Sequence, residues 1–294
     1  MAIKKKKRQP SSLASGRPPT IQRSKSISRK ATKSLINKHH LLEKRKQQAI
    51  SKGDRAEELT VAAEIASLGG LEKYQQASLQ GQREDRGGDS SRVLMEWLDP
   101  VVKLSKESGG RRLRMLEVGA LSTDNACSRS GFFDLERIDL NSQGKGILQQ
   151  DFMERPLPRD SAEQFDLISL SLVLNFVPDP KGRGEMLLRT LEFLHEPDTS
   201  LSAPPQSFVP SLFLVLPAPC VSNSRYLDEE RLVAMMASLG YAKIESKTTQ
   251  RLVYYLWKRG TKSERPRSFP KEEIRRGSSR NNFAIVLKHT SAVG

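Results

Sequence analysis

Four short apolar runs between residues 113 and 174, each stopping at a polar residue, limit what this chain can fold into. The first, Leu113-Arg114-Met115-Leu116-Glu117-Val118-Gly119, ends on an acid, a valine and a glycine. A buried parallel strand entering a tight turn has this form. Twenty positions past Gly119, Arg137-Ile138-Asp139-Leu140 ends a second run on a carboxylate. In a doubly wound sheet such a carboxylate lies beside the first turn and can accept both hydroxyls of a ribose. Gln149-Gln150-Asp151-Phe152 supplies a third edge, where Asp151 could accept an exocyclic adenine amine and Phe152 could cover the ring. The fourth run, Gln164 to Leu174, leads into Asn175-Phe176-Val177-Pro178-Asp179-Pro180. Together they predict an α/β, Rossmann-like chain with a doubly wound, seven-stranded, mostly parallel sheet and a nucleoside across its strand ends.

The first turn narrows the nucleoside. Gly119-Ala120-Leu121-Ser122 lacks the second and third glycines of a GxGxxG turn, so little room remains for backbone to approach a pyrophosphate. S-adenosyl-L-methionine has no phosphate and tolerates such a turn. The stretch therefore reads as the cofactor half of a class I methyltransferase, with Gly119, Asp139, Asp151 and Phe152 as cofactor-binding residues.

A family resemblance sharpens this reading. Gln150 to Pro158 (QDFMERPLP), Ser169 to Pro180 (SLSLVLNFVPDP) and Arg183-Gly184-Glu185-Met186-Leu187 resemble the fungal large-subunit (25S) rRNA adenine-N1 methyltransferases. The likeness reaches back through Arg86-Gly87-Gly88-Asp89, Gly81-Gln82 and Tyr74-Gln75 to Leu68-Gly69-Gly70-Leu71 and covers most of residues 68–258. It implies N1-methylation of an adenine in 25S rRNA during ribosome biogenesis. It also implies S-adenosyl-L-methionine as cofactor, ribosomal RNA or a pre-60S particle as partner, and the nucleus and nucleolus as location. The same family includes an animal relative that looks like a nutrient-signalling S-adenosylmethionine sensor, so a catalytically silent sensor or scaffold is the alternative. Preference for N1 over N6 rests on the resemblance; the fourth-strand segment departs from the Asn/Asp-Pro-Pro-aromatic motif of exocyclic-amine methylation.

Charge placement separates a tail from an enzyme body. Residues 1–52 hold sixteen Lys/Arg and one acid, Glu43, which accounts for the entire +15 of the 294-residue chain. The run Lys4-Lys5-Lys6-Lys7-Arg8 sits in a Ser- and Pro-rich stretch with too few large apolar residues to offset its ordering entropy. Residues 1–52 are therefore expected to be a disordered basic tail, a nucleolar address or phosphate-binding arm, with a basic helix within Leu35 to Ile50 that orders on binding. No apolar h-region suggests secretion, and no apolar run is long enough for a membrane span. Two cysteines, Cys127 and Cys220, are too few for a disulfide framework or zinc cluster. No metal site and a monomer are expected.

Residues 53–110 read as a helical cap over the cofactor cleft. Asp54 caps one helix that Gly69-Gly70 stops, a second spans 71–80, and a third runs from Arg92 to Ser105 with Pro100 bending or breaking it. Arg86-Gly87-Gly88-Asp89 reads as a flexible loop able to close on the methionine end of the cofactor. Residues 111–294 form the catalytic domain. Glu185 to His195 is read as a helix, and Asn282 to Lys288 as the final antiparallel strand. Whether 251–258 continues the sixth strand or turns back on it is left open. In the first case the basic insert 258–280 leaves beside the cofactor and meets RNA phosphate; in the second it leaves on the far side.

Adenine N1 carries an in-plane lone pair and needs no prior deprotonation, so a general base is not required. N1 lies on the Watson–Crick edge, and the target base must be unpaired or flipped. Asn175 can orient that edge through its amide without ionising, and Phe176 can stack on the base. These two are the expected catalytic-site residues.

Overall fold

The computed structural model describes residues 29–70, 88–142, 144–197, 208–261 and 267–288. Its sheet has seven strands: β1 (Leu113–Val118), β2 (Phe133–Asp139), β3 (Leu148–Gln149), β4 (Leu167–Ser171), β5 (Ser211–Pro217), β6 (Tyr241–Thr248) and β7 (Leu252–Arg259). Their spatial order is β3-β2-β1-β4-β5-β7-β6, with β7 antiparallel to both neighbours and β1 to β5 paired in parallel. Because β4 lies on the opposite side of β1 from β2, the order reverses between β1 and β4. A crevice opens at such a reversal, outside the carboxyl ends of the strands.

Alternation along the central strands sends residues to two cores. One face of the sheet carries Leu116, Ile138, Ile168, Leu170, Leu212 and Leu214. Covering it are α5 (Pro180–Phe193), through Met186, Leu187 and Phe193, and α7 (Glu229–Ser238), through Leu232, Met235 and Met236. The other face carries Met115, Leu167, Phe213 and Val215, covered by α3 (Ser91–Ser108) and α4 (Ala126–Ser130) through Leu94, Leu98, Val102 and Cys127. A short α6 (Pro219–Ser222) follows β5. Edge strand β6 is exposed along most of its length and bears Lys243, Glu245 and Lys247, charges that discourage pairing with another chain.

Several expectations change. Residues 29–52 are not disordered: they form α1 (Arg29–Lys52), which lies along α2 (Arg55–Ser67) with Leu42, Ala49 and Val61 buried. The heptad step from Leu42 to Ala49 places both on one helical stripe, and Arg45 reaches Glu57 of α2 at 2.5 Å. The helix expected over 71–80 lies outside the described residues, as do residues 1–28. Helix α3 packs on one face of the sheet through Leu94, Leu98 and Val102, and it continues through Pro100. Burial of Leu94 and Leu98 against the sheet outweighs one missing backbone bond.

The open choice at 251–258 resolves as a return strand, since β7 pairs antiparallel with β6 from Tyr241↔Arg259 to Thr248↔Val253. The insert therefore leaves at the amino edge of the sheet, and the argument that it exits beside the cofactor fails. Residues 282–288 form no ladder strand. An isolated bridge joins Phe269 to Leu287, and the segment lies against α5, where Val286 N–H donates to Pro180 at 2.8 Å.

Candidate functional site

Gly119 turns the chain at the carboxyl end of β1. Its φ is +74°, a region costly for residues with a Cβ, and its N–H and that of Ala120 both donate to Ile138 O, at 2.8 and 3.1 Å. A Cβ built on Gly119 would stand 2.6 Å from Val173 Cγ2. The bare glycine thus lets the loop after β4 pack against the turn after β1, across the reversal in strand order.

That loop is itself strained. Leu172 has φ +58°, the single positive φ outside glycine among the described residues, immediately after β4. A bulky residue in this region marks a conformation imposed by its surroundings, here by Leu172 N–H donating to Val215 O at 3.0 Å. Phe176 N–H closes the next turn onto Val173 O at 2.9 Å. Within that turn Asn175 Oδ1 is shielded from solvent and has no hydrogen-bond partner among the described residues. Asp179 then caps α5 by accepting from Gly182 N–H at 2.8 Å, and Pro180 takes the first helical position. The helix read from Glu185 thus begins five residues earlier.

Asp139 ends β2, on the other side of Gly119. Half-buried, it accepts from Asn141 N–H at 2.8 Å through Oδ1, while its carbonyl takes Gln150 N–H at 2.9 Å. The next residue, Leu140, is 61% exposed, an apolar surface beside the carboxylate that the sequence reading overlooked. Asp151 accepts from Met153 N–H at 2.7 Å. Phe152 does not face a ligand: it is 2% exposed, with its ring 5.3 Å from that of Phe193 and Arg189 above it. The turn that begins after Asp151 seats this side chain in the core, which corrects its assignment to the adenine ring.

Beneath the turn lies a polar cluster that periodicity does not reveal. Glu117 Oε1 accepts from Asn125 Nδ2 at 2.8 Å, and Asn125 also caps α4 by accepting from Ser128 N–H at 2.9 Å. Glu117 Oε2 and Arg137 Nε stand 3.8 Å apart, and neither atom has a hydrogen-bond partner among the described residues. Burial pushes the Glu117 carboxyl up to about 7; Asn125 and Arg137 pull down, and Asp89 adds to the rise. Asp89, the last residue of the expected loop, is held by backbone N–H groups. Its Oδ1 accepts from Ser91 N–H at 2.9 Å and its Oδ2 from Ala126 N–H at 2.6 Å, tying together the starts of α3 and α4. Arg86 and Gly87, the rest of that expected loop, lie outside the described residues. Ser90 and Ser171 join their hydroxyls at 2.7 Å and fix α3 to the end of β4. The signal for Glu117 was visible as the acid two residues before the turn glycine.

No group of His, Cys, Asp and Glu that could hold a metal occurs among the described residues. Burial raises both cysteine thiols, that of Cys220 to about 12, so neither is a thiolate near neutrality. His195 sits beside Asp166 at the amino edge of the sheet, and His39 on α1, so neither serves as a base at this site. The residues fit a sulfonium nucleoside: a bare glycine turn, a carboxylate at ribose distance in sequence, and for an ammonium a Glu117 oxygen that, among the described residues, accepts no hydrogen bond.

The chain is 41% identical over 226 residues to the 25S rRNA (adenine(2142)-N(1))-methyltransferase of Saccharomyces cerevisiae, covering 76% of this chain and 62% of that one. It is 38% identical over 254 residues to the 25S rRNA adenine-N(1) methyltransferase of Schizosaccharomyces pombe, covering 85% and 89%. The chain thus spans under two thirds of the budding-yeast relative's length. Among solved structures, the 16S rRNA methylase RmtB aligns over 80% of this chain and 76% of its own, at 15% identity and a TM-score of 0.37. Residues 59–285 match the family described as 25S rRNA (adenine(2142)-N(1))-methyltransferase, Bmt2, and the chain belongs to that family.

Proposed function

We propose that this protein transfers a methyl group from S-adenosyl-L-methionine to N1 of an adenine in 25S ribosomal RNA. The observation that carries this reading is the contact between Val173 and the bare face of Gly119, which sets the Asn175 loop against the turn expected to hold the donor. Donor and acceptor sites then share one wall, as an in-line displacement requires. Family membership supplies the RNA and the N1 position.

Asp139 would accept the ribose hydroxyls, Leu140 cover one face of the adenine, and Glu117 take the donor's ammonium through Oε2. Asp151 remains the candidate for the exocyclic amine. When bound, the donor would supply a methyl group activated on a sulfonium; N1 would bond to that methyl through its lone pair as the thioether leaves, with no prior deprotonation. The protein's task is alignment and exclusion of water. Asn175 Oδ1, an acceptor without a partner among the described residues, would take the N6–H of the target base as the loop adjusts around it. Phe176 would stack on the flipped base, worth about 1–3 kcal/mol. The tail of residues 1–28 and the family together favour a nuclear, nucleolar location.

The test is Asn175→Ala. We expect methyl transfer to 25S rRNA to fall about tenfold to a hundredfold, matching a loss of roughly 1.5–3 kcal/mol for one buried hydrogen bond in the transition state. Donor affinity measured by calorimetry should stay within about twofold. Equal loss of donor affinity would place Asn175 in the donor site and remove it from base positioning.

A further inference from the structure

Resting on the RNA substrate proposed above, we propose that residues 267–288 form a phosphate-docking strap, coupled by Arg183 to the loop that receives the base. Although the insert leaves β7 at the amino edge, its later part returns to the carboxyl edge. Arg275 fastens it there, donating to the carbonyls of Val221, Ser222, Ser224 and Leu227, which follow β5. Asn281 N–H donates to Asn223 O at 3.0 Å, and Arg225 N–H returns a bond to Asn281 O at 3.0 Å. Along this fastened stretch Lys271 and Arg276 are exposed and Arg280 half-exposed. None of the three has a carboxylate at ion-pair distance among the described residues, whereas Glu272 and Glu273 are engaged by Arg231 and Arg225. Three cations on a rigid backbone, beside the crevice, match the spaced charges of an RNA strand.

From Asn281 the strap runs onto the first turn of α5. Gly184 permits this approach, since a Cβ there would stand 1.9 Å from Val286 O. Arg183 sits at the junction, 8% exposed and without an ion-pair partner among the described residues. Its Nη1 donates to Ala284 O at 2.6 Å, its plane covers Phe283 at 4.4 Å, and its Nε and Nη2 donate to Val177 and Pro178 carbonyls at 2.8 and 3.3 Å. One guanidinium therefore grips the strap on one side and the loop after Asn175 on the other. Only a planar fork can reach all three carbonyls, so lysine is no substitute. Arg183 is a positioning residue: it holds the loop in register with whatever RNA the strap has bound.

The experiment uses the full chain and a single-stranded RNA oligonucleotide carrying the target adenine. The surface variant Lys271→Gln/Arg276→Gln/Arg280→Gln should lower the slope of log affinity against log salt by about 2, since each phosphate contact on a single strand contributes about 0.7. Its KM for RNA should rise while kcat and donor affinity hold. Arg183→Lys should lower kcat at saturating RNA about tenfold, with donor and RNA affinities unchanged and a cooperative melt retained. An unchanged salt slope in the surface variant, with the wild-type chain still methylating the oligonucleotide, overturns the strap. A kcat unaltered by Arg183→Lys overturns the coupling. Wild-type protein that binds donor but transfers nothing overturns the enzymatic reading beneath both.

Discussion

Val173 decides what can stand at position 119. Alanine there meets two obstacles, a left-handed φ that costs about 1–2 kcal/mol and a methyl group forced against Val173 Cγ2. Gly119→Ala is expected to lower stability by about 2–3 kcal/mol in denaturant melts and to weaken donor binding. Adding Val173→Ala should relieve the clash but not the backbone strain, so recovery is partial; full recovery would show that φ at 119 is not constrained. Glu117 gives a second expectation at this scale. Its carboxyl ionises near 4.5 when unfolded and about 7 when folded, so its contribution to stability is full below 4.5 and is lost as pH rises through about 7. The loss is at most about 3 kcal/mol, and Glu117→Gln should flatten the stability profile in that window. An incoming ammonium favours the ionised form, so donor affinity should rise between pH 6 and 8 in the wild type and not in Glu117→Gln. A profile that calorimetry finds identical in both would detach Glu117 from the site. Gly119, Asp139 and Asn175 were legible as chain punctuation, a polar residue closing an apolar run. Glu117's partners were not, because Asn125 and Arg137 reach it from other elements.

Among the elements, the α1–α2 pair has the clearest separate fate. Its contact rests on Leu42, Ala49 and Val61, with Arg45 bridging to Glu57 and Glu64. Leu42→Glu should free α1, raising hydrogen exchange across residues 29–52 while protection in β4 and β5 is unchanged. Loss of protection throughout the sheet would show that the helical pair is integral to the main core. The strands were readable because β4 and β5 are mostly apolar runs, as strands covered on both faces must be, and β1 carries four apolar residues before its glycine. The cap at Asp54 was readable too, accepting Glu57 N–H three residues on. What escaped depends on partners distant in sequence. β7 could be told from a continuation of β6 only by its pairing with β5, and Phe152 from a ligand-facing ring only by its contact with Phe193. The start of α5 at Asp179-Pro180 was a missed local signal, since an Asp cap followed by proline opens many helices.

At the scale of the whole molecule, the reversal of strand order between β1 and β4 organises everything else. It brings Gly119, Asp139 and the Asn175 loop to one edge, while His195, Asp166 and Arg111 gather at the opposite edge, where Asp166 takes both Arg111 nitrogens at 3.0 and 2.8 Å. The candidate site residues and the structural ion pair are thus separated by the length of the strands. The measurement that bears most directly on this account is transfer of label from S-adenosyl-L-methionine to 25S rRNA by the purified protein, read as N1-methyladenine after digestion. Label should appear in that nucleoside and vanish with Asp139→Ala, while Asn175→Ala slows its appearance without loss of donor binding. Protein that binds the donor with heat in a calorimeter yet leaves the RNA unlabelled would contradict the account and leave a sensor in its place.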